Sequence, residues 1–227
     1  MKKPVLIVLL QLGLAVGCAL AEDKPFTDQF AVEEKNFVST GKNKYFILEP
    51  GFQLEYADDD EQLVITVLDE TKKVGNVETR VVEERESKDG KLVEISRNYF
   101  AIDKTTNNVY YFGEDVDMYK DDKVINHEGS WLAGVNGARY GLLMPAEPKA
   151  GDKYYQEIAP GVALDRAEVK SLTEKYKTPA GEFEQVLKTE ETSGINPKEK
   201  GAKFYAPNIG LIFDAGLKLV KYGQKAK

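Results

Sequence analysis

One cysteine, one histidine and one tryptophan are all that this 227-residue chain holds of three residue types on which much protein chemistry rests. With Cys18 alone, no disulfide can form within the chain, and no thiol remains as nucleophile once an N-terminal leader is removed. With His127 alone, a Ser–His–acid triad has one place to form, and no sharp Gly-x-Ser-x-Gly turn surrounds the nearby Ser130. No window of about 15 residues carries a helical period, so helices should be few. The longest apolar run, Val5 to Val16, falls short of the roughly 20 residues that cross a bilayer, so no membrane span is expected. The chain also has no Asn-x-Ser/Thr acceptor.

What the N-terminus does have is the pattern of a leader. Met1-Lys2-Lys3 is basic, the run from Val5 to Val16 is apolar, and Ala19 and Ala21 are the small residues a signal peptidase reads. Residues 1–21 are therefore expected to be a signal peptide, with Glu22 opening a periplasmic or secreted protein. The rival is a lipid anchor at Cys18, since Leu14-Ala15-Val16-Gly17-Cys18 resembles an imperfect lipoprotein processing box. Asp and Glu total 38 against 31 Lys and Arg, a formal charge of −7. That balance argues against nucleic acid and anionic membranes as partners.

Residues 22–44 read as a polar N-terminal arm, loose or packed down. From residue 45 to 227 the chain reads as a single β-rich domain. Phe52-Gln-Leu-Glu-Tyr56 alternates apolar with polar, and Leu63 to Leu68 is a β-branched apolar run. Val77 to Glu86 and Lys91 to Ile102 are strands about an Asp89-Gly90 turn, the composition of a type I′ hairpin. Asn107-Asn108 supplies another turn, and Val109-Tyr-Tyr-Phe112 a further strand. The charged run Glu83-Glu-Arg-Glu86 is expected to face water on at least one side. Asp58-Asp59-Asp60-Glu61 reads as a solvated hairpin tip rather than a cation site, because a metal needs ligands converging from several directions.

Between residues 113 and 148 lies a central insert that holds the only His and Trp. Alternation would put Asp115 and Asp117 on one strand face, and His127 and Glu128 could return to them across the Lys120–Lys123 turn. Those four are weak metal candidates: no calcium-loop spacing is present, two lysines lie close by, and no cofactor is expected. The adjacent pairs Tyr110-Tyr111 and Tyr154-Tyr155 should each send one ring inward, and Trp131, Leu142, Leu143 and Met144 could close the open side of a curved sheet. Arg139 could pair with Glu157 and Asp165, or clamp an anionic group. The candidate binding residues are thus Tyr111, Glu114, Trp131, Arg139, Met144 and Glu157, and Trp131 should be partly exposed at the groove.

The segments on either side of the insert look like two copies of one unit, about 45–112 and 149–223. Gly151 falls over Gly51, Val169 to Leu172 over Val64 to Leu68, and Gly181 over Gly75. Phe204-Tyr-Ala206 falls over Tyr99-Phe-Ala101, and Leu211 to Phe213 over Val109 to Phe112. The other reading is a meander with repeated turn chemistry.

Thr178-Pro-Ala-Gly-Glu-Phe183 with Phe204-Tyr-Ala-Pro-Asn-Ile-Gly210 resembles a paired signature of secreted bacterial proteins of unknown function, the TapB-like group among them. Tyr111 to Asp115, Glu128-Gly-Ser-Trp131, Gly134 to Ala138 and Gly151-Asp152 are similar to a family of exported hypothetical proteins, although that family often has proline where Tyr140 stands. The resemblance implies a curved antiparallel half-barrel of the TapB-like or LolA-like kind, and no assigned activity. The combined expectation is a mostly β protein, half-barrel or barrel-like. It would bind an apolar small molecule or an envelope protein, and the alternative is a periplasmic hydrolase that works through carboxylates.

Overall fold

The computed structural model describes residues 24–196 and 198–225. The expected signal peptide, Cys18 and the Glu22 terminus lie outside them. Three short strands come first: β1 (Phe37–Val38), β2 (Gly41–Lys42) and β3 (Ile47–Leu48). A five-stranded meander follows, formed by β4 (Phe52–Ala57), β5 (Glu61–Val74), β6 (Val77–Lys88), β7 (Lys91–Asp103) and β8 (Val109–Lys120). The middle of the chain adds β9 (Lys123–Asn126), β10 (Trp131–Leu132), β11 (Arg139–Met144), β12 (Lys153–Tyr155) and β13 (Glu157–Ile158). A second meander, β14 (Asp165–Thr178), β15 (Gly181–Ser193), β16 (Lys200–Ala206), β17 (Gly210–Asp214) and β18 (Leu217–Gln224), completes it. One 3-10 turn, Glu34–Asn36, is the only helical element among the described residues, and no helix there could cross a membrane.

The strands form where the sequence alternates. β4 buries every second residue, Phe52, Leu54 and Tyr56, as a strand with one wet face must. The turns follow local chemistry. Asp89 and Gly90 both have positive φ, at 50° and 73°, and so do Asp121 and Asp122, at 50° and 59°. Those are the values a two-residue type I′ hairpin needs. Residues Asp58 to Glu61 do form a hairpin tip: the Asp58 N–H donates to Glu61 O at 2.9 Å, and Lys88 pairs with Glu61.

β18 pairs with β4, so the two meanders share one antiparallel sheet that curves until it is nearly closed into a barrel. They open on the same turn. The Gly51 N–H donates to Val67 O and the Gly151 N–H to Val169 O, each at 2.8 Å, and both glycines have φ of 85°. The central residues do not form a separate lid. Gly113, the expected start of the insert, sits inside β8, and β9, β10 and β11 extend the wall along the free edge of that strand.

The two ends of the sheet meet within one short segment. β12 pairs with β14, Tyr155 opposite Arg166, while two residues on β13 pairs with β11, Glu157 opposite Tyr140. Gln156 bridges them: its N–H donates to Asp165 O at 2.7 Å, and its side-chain amide reaches Leu143 O and Glu191. The N-terminal arm straps this seam from outside. Thr27 exchanges hydrogen bonds with the backbone of Lys153 and Tyr155 at 2.9 Å, and Phe30 and Phe37 pack edge-on against Tyr110. At the end of the barrel where β7 turns into β8, the small β2–β3 hairpin acts as a plug. It buries Tyr45 and Leu48 completely, and Asn43 donates to Asn107 O and Met144 O.

The seam depends on Gly141. A Cβ there would lie 2.3 Å from the Gln156 carbonyl oxygen and 2.8 Å from that of Tyr155. Those neighbours are backbone and cannot swing aside, so overpacking has no cheap relief. Gly141→Ala is expected to cost on the order of 2 kcal/mol or more, read as a lower urea midpoint by circular dichroism. An exposed control such as Gly201→Ala, where a Cβ meets nothing, should leave the midpoint within experimental error.

Candidate functional site

Register decides what points into the barrel. Val67, Val82, Asn98, Glu114 and Trp131 stand opposite one another across β5, β6, β7, β8 and β10. The next inward row is Leu54, Ile65, Glu84, Ser96 and Val116, and the one after it brings Glu86 and Glu94 together. Toward the plugged end the corresponding row is Phe100, Tyr111 and Gly141. The interior therefore changes character along its axis, from aromatic beneath the plug to acidic farther down.

These rows enclose a cavity of about 250 Å³. Phe46, Ile47, Phe52, Leu54 and Phe100 form its apolar part, and Glu84, Glu94, Glu114 and Glu157 its acidic part. Lys203 is the one cation on its wall, and it is already held by Glu191 at 3.0 Å and Asp214 at 3.2 Å. Among the described residues, no hydrogen bond or ion pair engages the carboxylates of Glu84, Glu94 or Glu157. Tyr111 donates to Asn98, whose amide donates to Ser96 at 3.2 Å, and the Tyr111 hydroxyl also lies against the Glu114 carboxyl.

Burial without a counter-ion disfavours the charged form of a carboxyl. It raises Glu84 to about 7 although Lys203 pulls it down, and raises Glu114 to about 8, where repulsion from Glu84 adds and the Tyr111 hydroxyl opposes. Glu157 is pushed well above its ordinary value by burial and then by Glu114 and Asp165. Lys203 shows the opposite balance: burial lowers it, yet Glu191 and Asp214 leave it well above the ordinary lysine value.

Of the residues singled out from sequence, Tyr111, Glu114 and Glu157 are brought together here. The others are not. Trp131 is only 6% exposed, packed edge-on against Tyr111 at 5.4 Å, and so is core rather than a partly exposed residue at a groove. β10 comes so close to β8 that a Cβ on Gly113 would lie 2.2 Å from Trp131 O. Met144 lies outside the cavity lining, buried, with its carbonyl accepting from Asn43. Arg139 is exposed and meets neither Glu157 nor Asp165; it binds the carbonyl of Asp28 at 3.1 Å and its carboxylate at 3.3 Å, tying down the arm.

The weak metal candidates do not converge. Asp115 accepts from the Tyr99 hydroxyl at 2.5 Å, His127 lies 2.9 Å from Asp117, and Glu128 sits in an exposed turn. No group of three metal-ligating side chains occurs among the described residues. Ser130 accepts from the Val116 N–H while His127 lies against the Val116 carbonyl, so those two side chains hold a turn and are not paired with each other. Sequence reasoning missed Glu84, Glu94, Asn98 and Lys203. The run Glu83 to Glu86 is charged throughout, so nothing in its alternation tells which of its charges turn inward.

No protein-family model, curated protein or solved structure matches this chain.

Two outcomes follow. Trp131→Ala removes a core ring and is expected to cost roughly 3–5 kcal/mol, seen as a lower urea midpoint. The raised carboxyls bind protons more tightly folded than unfolded, so stability falls as pH rises from the ordinary carboxyl range toward 7 and 8. Glu114→Gln is expected to flatten that fall and to gain roughly 1–3 kcal/mol near pH 8, with little change near pH 5, in urea melts at each pH.

Proposed function

We propose that this is an exported, non-enzymatic binding protein whose barrel interior receives a small molecule. The observation that carries the reading is the cavity of about 250 Å³, apolar toward the plug and lined elsewhere by carboxyls that no ion pair engages among the described residues. A protein interior is normally filled with side chains, and charges taken out of water are normally paired. Space and unpaired polarity together are what a ligand site requires. The volume lies below the roughly 300–1,000 Å³ of drug-sized sites, which favours a compact ligand over a large lipid of the kind the half-barrel resemblance brings to mind. The N-terminal leader pattern supports a periplasmic or secreted location, with a lipid anchor at Cys18 as the alternative.

The same carboxyls are what favour the second reading, a hydrolase. General acid and base roles need environments that push two groups apart, one up and one down. In this cavity the shifted carboxyls all move up, Glu84, Glu94, Glu114 and Glu157 alike. No thiol lines it, and His127 lies on the outer side with Asp117. The geometry supports binding better than turnover.

Filling the cavity tests the reading. Ile65 lines it opposite Glu84, and Ile65→Phe adds bulk into empty space. Native mass spectrometry of protein purified from its own host is expected to show a co-purifying small molecule on the wild type and none on Ile65→Phe, with melting temperatures within a few degrees. An unliganded wild type, or equal occupancy of both, would reject the barrel interior as the site.

A further inference from the structure

Outside its core the molecule has exposed Val124 and Ile125 on the edge strand β9, a surface recess beside Trp131, and the barrel cavity. Only the cavity combines enclosure with a chemical preference. Its polar wall is not an acidic surface patch. Glu84 from β6, Glu94 from β7, Glu114 from β8 and Glu157 from β13 come from four strands to one cavity, and none of them is in an ion pair among the described residues.

We propose, building on the reading of the barrel as a small-molecule site, that its ligand class is a small alkylamine. Its ammonium would sit among Glu84, Glu114 and Glu157, with its apolar part against Phe46, Ile47 and Phe100. Charge complementarity carries the choice. Lys203 cannot recruit an anion, because Glu191 and Asp214 occupy it. The four carboxyls on the cavity wall outnumber it, and none of them is in an ion pair among the described residues. An ammonium supplies the missing cation and up to three donors, which acceptor-only carboxylates can use. A carboxylate or phosphate ligand would add like charge. Volume fits as well: a cavity of about 250 Å³ has room for about eight waters, close to the nine heavy atoms of an eight-carbon amine. The axial gradient fixes orientation, since Phe46 and Phe100 lie at the plugged end and the carboxyls lie farther along.

A coupling to protons follows from the same groups. Facing the bound ammonium would be Glu84 and Glu86 from β6, Glu94 from β7, and Tyr111 and Glu114 from β8. Glu157 from β13, Asp165 from β14, Glu191 from β15, Lys203 and Tyr205 from β16 and Asp214 from β17 complete the set, with Lys203 held between Glu191 and Asp214. Without a ligand several of these carboxyls hold protons near neutral pH; an entering ammonium displaces them. Binding therefore releases protons and tightens as pH rises through the range in which Glu84 and Glu114 titrate.

Isothermal titration calorimetry of the mature protein with octylamine, octanoate and octanol as separate probes tests this. Runs near pH 6 and near pH 9, in buffers of different ionisation enthalpy, report proton release. Octylamine is expected to bind, roughly tenfold tighter at the higher pH, with protons released to the buffer. The double variant Glu84→Gln, Glu114→Gln should lose roughly tenfold or more of that affinity and most of its pH dependence, while its circular dichroism spectrum and urea midpoint show a folded barrel. Octanoate or octanol binding as well as octylamine, blocked by Ile65→Phe, would overturn the amine assignment and leave the barrel as a small-molecule site. Octylamine binding that Ile65→Phe and the double variant both leave unchanged would also overturn it, placing the amine elsewhere. No binding of any probe at either pH would overturn the amine assignment; an unliganded wild type in the mass-spectrometric experiment would overturn the site itself.

Discussion

Closure of the sheet is the constraint on which the rest of this structure depends. A curved antiparallel sheet left open exposes two unpaired edges and a wet concave face. Here the residues from Lys153 to Ile158 serve both edges at once, pairing with β14 on one side and β11 on the other. They can do so only because Gly141 lets the β11 backbone come against the Tyr155–Gln156 peptide groups. Gln156 then ties the two sides with one backbone and two side-chain hydrogen bonds. Once the seam is shut, inward side chains face one another across a common space, and only then can Glu84 and Glu157, 73 residues apart in sequence, belong to one site.

The interior so formed breaks the charge economy seen elsewhere in the chain. On the outer surface cations and carboxylates pair across neighbouring strands: Lys221 with Glu55 at 2.6 Å, Lys177 with Glu182 at 2.6 Å, and Lys170 with both Glu168 and Glu190. Such pairs contribute little stability each, but they leave few charges alone. Within the barrel, Lys203 follows the same rule with Glu191 and Asp214, and Glu84, Glu94 and Glu157 do not. A fold stabilised only by packing would have apolar residues at those positions, because buried carboxyls gain nothing from one another. The stability they cost grows as they ionise, so the site is held in tension with the fold.

The outer layer explains why that tension is tolerated. The arm, which on sequence could have been loose, is packed down by an aromatic cluster of Phe30, Phe37, Tyr110, Phe112 and Tyr140. Tyr110 and Tyr111 divide the labour of one strand: the first anchors the arm outside, and the second donates to Asn98 inside. Arg139 and Asp28 lock the same arm at its edge. The barrel is thus clamped from outside and plugged at one end.

The residue sequence by itself determined the β character, the strands from Phe52 to Phe112, the Asp89-Gly90 hairpin, and the rule that adjacent tyrosines part to opposite faces. These are properties of neighbouring residues, since period-two alternation and positive φ at Asp, Asn and Gly act over a few positions. The glutamates of β6 mark where that legibility stops. Glu83, Glu84, Arg85 and Glu86 look alike in sequence, yet Glu83 meets Arg97 on the outer face while Glu84 lines the cavity. Only the register between strands and the closing of the barrel decided which of them is inside. For the same reason Arg139 found Asp28, 111 residues away, instead of Glu157, and Trp131 became core against Tyr111. A strand with polar residues on both faces carries no local sign of which face will be enclosed; the free energy that chooses it belongs to contacts between strands far apart in sequence.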